Sequence, residues 1–398
     1  MERADLRSET ATNVVRLYQV FQVREGARSR AGILAVAIVG GAALASTGLA
    51  SATGSSSSGT RAGSVDALAV DPENTATVYA SSWLRSPHYG SILKSTNGGR
   101  SWRRIYAGAG NPILAFAIDP RVPSVLYLGT TRYLIPTEAG VFKSVDGGET
   151  WRAANDGLRR NPVSSLAIDP QEPATLYTGT DRYGFGGWGS RGVFKTTNGG
   201  RTWKAVNAGR GTLADDVNAL AINPVRPAIL YAAAVEDGLF KTTNGGRSWR
   251  KVFDYYNGLV TSLAIDPKKP TTVYAGTFSD GVFKTIDGGR SWRVVNNGLG
   301  NFKDVEALAI DPRNTATIYA ATHRLDSGGE SVFRSGRVFK STDGGRSWRE
   351  ANAGLATAAY GVNTFAIDPR APTTVYAGTT GYGVFKTIDG GRNWRSAG

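Results

Sequence analysis

The chain has 398 residues, with 46 Lys and Arg against 32 Asp and Glu, and a formal net charge of +14. It has no cysteine and two histidines, which excludes disulfides, thiolate metal sites and cysteine nucleophiles and argues against multi-histidine zinc sites, so we predict no metal and no cofactor. Excess positive charge favours anionic partners, and a merely solvated surface accounts for it as well.

The first predicted element is an export segment at residues 31–52, which carry no charged side chain. Arginines precede its apolar run at residues 33–39, and Ala-Ser-Ala at 50–52 offers a cleavage site, as in a secretory signal. We expect a cleaved signal peptide or a membrane anchor helix, with the remainder secreted or extracytoplasmic. Residues 1–30 are then a basic cytoplasmic-side segment or the result of a start codon assigned too early, and residues 53–63 form a Ser/Gly linker.

Residues 64–398 repeat one pattern seven times. A copy consists of an apolar strand ending at Asp-Pro, a Tyr-x-Gly-Thr segment, a Gly-Val-Phe-Lys segment and a turn such as Asp-Gly-Gly-Arg-Ser-Trp. Four short strands per copy, separated by turn signals, indicate one propeller blade. We therefore predict an all-β domain, a single seven-bladed β-propeller of four-stranded antiparallel blades (strands A to D). Because no strand is left over, we expect side-chain packing between blades one and seven to close the ring.

The turn between strands C and D is the most specific motif. An Asp or Asn side chain can bond the backbone of its own turn, and the glycine pair that follows supplies positive φ. The motif resembles the Asp-box, or BNR repeat, a resemblance that implies a fold element on the face away from ligands. Seven equivalent copies cannot all be active sites, so we interpret these residues as structural: Asn97, Asp146, Asn198, Asn244, Asp287, Asp343 and Asp389.

Strand order divides the propeller into two faces. The A–B and C–D turns share one, the turn face, and the variable B–C and D–A loops share the other, the loop face. Long B–C loops in blades one, two, three and six carry aromatic and basic residues suited to stacking on sugars, peptides or anionic groups. Packing of loop on loop is the alternative interpretation. The candidate binding residues are Trp83, Arg85, Tyr89, Arg132, Tyr133, Arg182, Tyr183, Trp188, His323 and Arg324.

The repeat region is also similar to two groups of known propellers. The single seven-bladed arrangement is similar to YCF48-like photosystem II assembly factors, in which the propeller is a docking platform. This resemblance implies an exported, non-catalytic binding or assembly module that recognises a glycan, peptide or protein surface, including an anionic one. We expect a monomer that touches a membrane only through its N-terminal segment, and we find no specific signal for nucleic acid.

The alternative function is a glycoside hydrolase, because xyloglucanase- and sialidase-type enzymes use similar repeats. The run from Tyr177 to Asp181 resembles the xyloglucanase segment that places an acid after strand B, which makes Asp181 the one candidate acid. Hydrolysis needs a second carboxylate about 5–9.5 Å away. The sequence indicates no such partner and lacks the Arg-Ile-Pro motif of sialidases, so we assign no catalytic residue.

Cations flank the closing tryptophans. An arginine follows the glycine pair in six of the seven turns, and Arg or Lys follows the tryptophan in every blade. Strand D is the exposed edge of its blade, where charge prevents sheet-to-sheet aggregation. A ring that binds polyanions is the other interpretation.

Overall fold

The computed structural model divides the chain into units of residues 1–31 and 32–398, and all described residues belong to the second unit. Their regular elements are all β-strands, and this part of the chain contains no helix long and apolar enough to cross a membrane. The structure describes residues 35–36, 63–85, 88–108, 111–131, 139–158, 161–180, 192–207, 216–235, 237–255, 259–325, 334–355 and 361–398.

Seven antiparallel four-stranded sheets follow one another along the chain, each with its strands in the order A-B-C-D. The first four blades comprise Leu68–Val70, Val78–Arg85, His88–Ser95 and Arg103–Gly108; Ile113–Ile118, Leu126–Thr130, Gly140–Ser144 and Arg152–Ala153; Val163–Ile168, Leu176–Thr180, Gly192–Thr196 and Lys204–Ala205; Val217–Ile222, Leu230–Ala234, Gly238–Thr242 and Arg250–Phe253. Blades five to seven comprise Val260–Ile265, Val273–Thr277, Gly281–Thr285 and Arg293–Val294; Asp304–Ile310, Ile318–Leu325, Arg334–Ser341 and Arg349–Glu350; Val362–Ile367, Val375–Thr379, Gly383–Thr387 and Arg395–Ser396. The predicted all-β, seven-bladed propeller is confirmed.

One further strand, Ala35–Val36, pairs in parallel with Leu263 and Ala264 in strand A of blade five. These two residues are the only described part of the predicted export helix, and they are extended rather than helical. The rest of residues 1–62, which includes the predicted signal, its cleavage site and the linker, lies outside the described residues.

Strands A and B hold the core, since both are buried along almost their full length. In five of the seven blades strand D has two residues, both exposed, as expected of an outer edge, and in blades one and four it is longer and partly buried. A tyrosine at the second position of strand B packs into each seam between blades; the seven are Tyr79, Tyr127, Tyr177, Tyr231, Tyr274, Tyr319 and Tyr376. In the first seam Tyr79 stacks on Phe116 of the next blade, with ring centroids 5.3 Å apart. Burial of these large rings is the main favourable contribution of each seam.

Polar contacts also recur at the seams. The strand C lysine of a blade donates to the first-glycine carbonyl of the next C–D turn, as Lys284 does to Gly344 at 2.7 Å. In the opposite direction the tryptophan indole donates to strand D or the residue after it in the preceding blade, as Trp348 does to Val295 at 2.6 Å. Trp151 is the exception, because its indole bonds to Gly148 in its own turn.

The ring closes through the same contacts. Lys386 donates to Gly98 at 2.9 Å, and Trp102 donates to Ala397 at 2.7 Å. A backbone bond joins Gly383 to Gly63, and the equivalent bond elsewhere joins Gly281 to Lys303, the residue before strand A of blade six. Among the strands that the structure describes, no blade includes a strand from another blade. Closure by packing without strand exchange therefore agrees with the expectation from the sequence.

Backbone bonds define the turn face directly. In every blade the first glycine of the C–D turn donates to a carbonyl in the A–B turn, as Gly288 does to Thr271 at 2.8 Å. The two turns of a blade therefore touch. On the loop face the end of strand B bonds to the residue before strand A instead, as Val235 does to Asp216.

Candidate functional site

The structure describes the loop face in part. Six of the predicted site residues lie outside the described residues: Arg132, Tyr133, Asp181, Arg182, Tyr183 and Trp188. For three more, the strand backbone alone is described: Arg85, Tyr89 and Arg324. The proposed role of these nine in ligand binding or catalysis remains a prediction.

The long B–C connections of blades one and six are largely strand rather than loop. Strands B and C of blade one each have eight residues, and pairing continues out to Arg85 and His88. Trp83 lies inside this hairpin opposite Gly90 and is 3% exposed. A ring so covered is not available for stacking in this structure, and its position matches the packing alternative. The sequence suggested loops because polar and apolar residues do not alternate regularly along this hairpin, as they would in a half-buried strand.

A β-bulge near the start of strand A shapes the rim of the loop face. In blades two to seven the pairing of strand A with strand B shifts register by one residue near the start of strand A, as it does between Val163 and Ser165 in blade three. Bulges often re-aim a side chain beside a functional site. Here the residue at the bulge is polar or charged in every blade except blade two, which has Leu114. The bulge residues, with their blade-one counterpart first, are Asp66, Leu114, Ser164, Asn218, Thr261, Glu306 and Asn363.

Three of these side chains donate a hydrogen bond to a backbone carbonyl of the next blade. Ser164 donates to the carbonyl of Val217 at 2.5 Å, and Thr261 makes the same contact with Val305. Asn363 completes the pattern across the closing seam, since its amide donates to Val65. Sequence reasoning missed this set, although a polar residue at the second position of an otherwise apolar strand was a visible signal.

Asp66 is the most deeply buried acid of the rim, at 2% exposure. Asn363 donates to its Oδ1 at 3.0 Å, and the same Asn363 accepts from Thr380 at 2.7 Å. Burial raises the pKa of Asp66 well above its usual range, and the hydrogen bond from Asn363 only partly offsets this. The carboxyl is inaccessible from solvent and is part of the contact between blades seven and one.

His323, which is buried, and Glu306, which is half-buried, form a second polar pair. Nδ1 of His323 lies 3.0 Å from Oε1 of Glu306, and the imidazole is 2% exposed. Gly361, with φ +81°, passes so close that an added Cβ would lie 1.7 Å from Nε2. His323 was predicted as a binding residue, but in this structure it is packed between blades six and seven. A ligand on the loop face would therefore not contact the imidazole directly.

Three further acids of the loop face, in the connections of blades four and five, have partners of their own. Asp237 and Asp254 both accept from Lys251, the latter at 3.2 Å. The bond to Asp237, and to a smaller extent the bond to Asp254, raises the pKa of Lys251. The hydroxyl of Tyr255 donates to Asp280 at 2.7 Å, and burial, followed by this bond, raises the pKa of Tyr255 to about 12.

On the turn face the C–D turn side chains are occupied by their own turns. Oδ1 of Asp287 accepts from the hydroxyl of Thr285 and from two backbone amides, while Oδ2 accepts from the hydroxyl of Ser291 at 2.6 Å. Donors of this kind keep the pKa of the carboxyl well below its ordinary value, and in the equivalent turn they lower that of Asp343 to about 2. Among the residues that the structure describes, no group of three or more His, Cys, Asp or Glu could hold a metal ion.

Seven blades that close through side-chain contacts at every seam define the chain as a β-propeller. No protein-family model matches the sequence, and no curated protein matches it either. Among solved structures it is similar to the GH74 enzyme of Niastella koreensis, with TM-score 0.63, 19% identity, and coverage of 88% of this chain and 55% of that enzyme. The chain thus spans about half the length of that enzyme.

Two other solved structures extend the comparison. The GH74 xyloglucanase of Xanthomonas campestris matches with TM-score 0.54 and 17% identity, over 94% of this chain and 74% of that enzyme. YCF48 bound to D1 peptide matches with TM-score 0.59 and 10% identity, over 85% of this chain and 99% of YCF48. At these identities the likeness shows the propeller fold, which glycoside hydrolases and a peptide-bound protein share.

Proposed function

We propose that the chain is a non-catalytic binding propeller that holds a peptide or protein surface on its loop face, outside the cytoplasm. The observation that carries the proposal is the state of four acids on that face among the residues that the structure describes, which do not include Asp181. Asp66, Glu306, Asp237 and Asp280 each contact a neighbouring polar side chain within or across blades. A general acid or nucleophile must reach its substrate, whereas these groups join strands and loops to one another.

The extent of the structural matches supports the same proposal. The chain corresponds to nearly all of YCF48, which is solved with a bound peptide, and to about half of the first GH74 enzyme. A single rigid ring with variable loops is a suitable platform for a flat or extended partner. The aromatic and basic B–C loops of blades two and three, with Tyr183 and Trp188, are the proposed contact residues.

Glycoside hydrolysis is the second candidate, favoured by the two GH74 matches. It would use Asp181 as the acid, with a partner carboxylate on the same face. A decisive assay incubates the full chain with xyloglucan and measures new reducing ends. We expect none, and release that is lost in Asp181→Asn but kept in Asp287→Asn would replace the binding proposal with a hydrolase.

Binding itself is tested with a displayed library of random peptides, selected on the full chain. We expect enriched sequences that bind the wild type and lose at least about tenfold in affinity to the Tyr183→Ala, Trp188→Ala variant. The matched control is Tyr382→Ala, which removes an exposed ring from the loop face of blade seven. Equal binding by all three proteins, or no enrichment at all, would refute a peptide site in blade three.

A further inference from the structure

The turn face exposes aliphatic side chains. Five of the seven large hydrophobic residues that are exposed in the described part of the chain lie in its A–B and C–D turns: Val122, Val145, Val225, Ile286 and Ile388. Val145, Ile286 and Ile388 occupy one repeated position, just before the turn aspartate, and Ile388 is 71% exposed. A single exposed aliphatic residue is ordinary. A set restricted to the turns of one face calls for a second observation.

The second observation is the charge beside these residues. An exposed arginine follows the glycine pair of six C–D turns: Arg100, Arg201, Arg247, Arg290, Arg346 and Arg392. Exposed Arg or Lys also begins strand D in every blade, immediately after the tryptophan. Arg290 and Arg392 therefore lie four residues after Ile286 and Ile388 in the same turns, and the first residue of strand D adds a further cation in each blade.

One seam shows that anionic oxygen fits among these cations. In blade two Glu149 replaces the turn arginine, and its carboxylate binds Arg103 of strand D and lies 3.8 Å from Lys94 of strand C. In the other six seams an arginine stands where Glu149 stands here. At the seam between blades four and five, for example, Lys241 has Arg250 and Arg290 as like-charged neighbours, with Asp287 as a smaller opposing charge. Such an arrangement of cations suits an anion supplied from outside the chain.

Unlike Glu149, the aspartates of this face bond within their own turns rather than to the arginines named above. Asp287, Asp343 and Asp389 are each occupied by the hydroxyl, amide or backbone donors of their own turns, and Asn replaces Asp in three of the seven turns. In the A–B turns Asp266 likewise accepts from the backbone of Lys268 and Lys269. Their charges remain close to the backbone, whereas the arginine side chains are exposed.

We propose that the turn face docks on a membrane surface rich in anionic phospholipid, which would be a second membrane contact beyond the N-terminal segment expected from the sequence. The aliphatic turn residues enter the headgroup layer, and the arginines of the turns and of strand D bind lipid phosphates, since guanidinium groups match phosphate geometry. A soluble polyanion would use the cations alone and would have no contact for Ile286 or Ile388. The loop face then points away from the membrane, open to its own partner.

The test is vesicle co-sedimentation of the full chain. Vesicles contain phosphatidylcholine alone or mixed with phosphatidylglycerol. The residue 31–52 segment is present in every protein compared, so any contribution from it is common to all. We expect wild type to prefer the anionic vesicles, and Arg290→Gln with Arg392→Gln to weaken that binding about tenfold or more. Ile286→Ser with Ile388→Ser should weaken it as well, because the buried apolar contact is lost.

The control is Tyr382→Ser, which removes an exposed hydrophobic residue from the loop face and should bind as wild type does. Because all the changed residues are exposed, we expect thermal transitions equal to wild type in each variant. The proposal would be overturned if neither the double arginine variant nor the double isoleucine variant changed binding to the anionic vesicles. So would an arginine variant that loses affinity for both vesicles and dextran sulfate while the isoleucine variant binds vesicles normally, because the site would then recognise a soluble polyanion.

Discussion

The indole of Trp102 in blade one donates a hydrogen bond of 2.7 Å to the carbonyl of Ala397, the residue directly after the last strand of blade seven. The two residues are separated by almost the whole propeller in sequence. Their contact repeats, at the closing seam, the bond that Trp348 and Trp394 make to their preceding blades. A ring without an exchanged strand depends on such side-chain bonds where its ends meet.

We predict that Trp102→Phe loosens the closing seam in particular. Phe keeps a buried aromatic ring but removes the N–H and the rest of the indole, so we expect a loss of about 1 kcal/mol in the free energy of unfolding for the hydrogen bond and a further loss for the reduced packing. The sharper measurement is hydrogen exchange at the amide of Val65, which donates to Thr379 across the seam. It should exchange faster in the variant. Trp151→Phe is the matched control, because that indole bonds within its own turn.

Equal exchange at Val65 in Trp102→Phe and wild type would contradict this account of closure. The same would follow if Trp151→Phe accelerated exchange at Val65 as much as Trp102→Phe does, since the effect would then not be specific to the seam.

The seam tyrosines predict a loss of stability in alkali. Burial raises the pKa of all seven seam tyrosines in the folded chain, to about 12 for Tyr177. A tyrosine in the unfolded chain has a pKa of about 10. Their contribution is fully present below the unfolded pKa and is lost as pH rises through the folded values. Urea unfolding between about pH 9 and 12 should therefore show stability falling by up to about 1.4 kcal/mol per pH unit for each tyrosine that titrates.

Tyr274→Phe tests the assignment to these residues. Its hydroxyl donates to Gly344 at 3.0 Å, and the substitution removes one titrating group together with that bond. We expect lower stability at neutral pH but a shallower alkaline slope. The buried lysines act in the opposite sense, because burial lowers the pKa of Lys284 and stability from that group rises with pH up to its unfolded pKa. An alkaline slope unchanged by Tyr274→Phe would exclude the tyrosines as its source.

Much of this architecture followed from sequence because the repeat restates its signals seven times. Strand periodicity, Asp-Pro stops and glycine pairs are local, and each copy corroborates the others. The loop face offered no such repetition. Trp83 and His323 looked like exposed candidates because aromatic and basic residues in long connections suit binding, yet extended pairing and neighbouring blades bury both. Pairing across a hairpin and packing against the next blade depend on tertiary contacts that periodicity alone does not encode.

Gly361 gives a prediction with an internal control. It has φ +81°, and an added Cβ would lie 1.7 Å from Nε2 of His323. Gly381 has φ +86° with nothing within 4 Å of the same position. Gly381→Ala should therefore lose only the backbone cost of about 1–2 kcal/mol. Gly361→Ala should lose that plus several kcal/mol of overpacking or displacement of the imidazole.

The difference between the two glycine variants is assigned to His323 by a double-mutant cycle. Adding His323→Ala to Gly361→Ala opens space for the new methyl group, so we expect part of the lost stability to return. Equal losses in the two glycine variants would mean that the backbone of Gly361 relaxes away from the histidine.

Asp66 predicts a pH dependence on the acid side. Burial raises its folded pKa well above the unfolded value near about 4, so the folded chain holds a proton there that the unfolded chain releases first. The stability from this group is fully present below the unfolded pKa and is lost as pH rises through the folded one. Asp66→Asn keeps the size and an oxygen that can accept from Asn363, and it removes the titration.

We therefore expect Asp66→Asn to gain on wild type as pH rises from about 4 to 8, so that the difference in unfolding free energy between the two proteins grows with pH. Comparing the variant with wild type separates Asp66 from the turn-face acids, whose pKa values are lowered and which act in the opposite direction in both proteins. Asp287→Asn is the matched control: because the pKa of Asp287 is lowered in the folded chain, its contribution is already fully present above about pH 5, so its difference from wild type should change little over most of this range. A constant difference between Asp66→Asn and wild type across that range would mean that Asp66 is already ionised in the folded chain, held by its contacts across the closing seam.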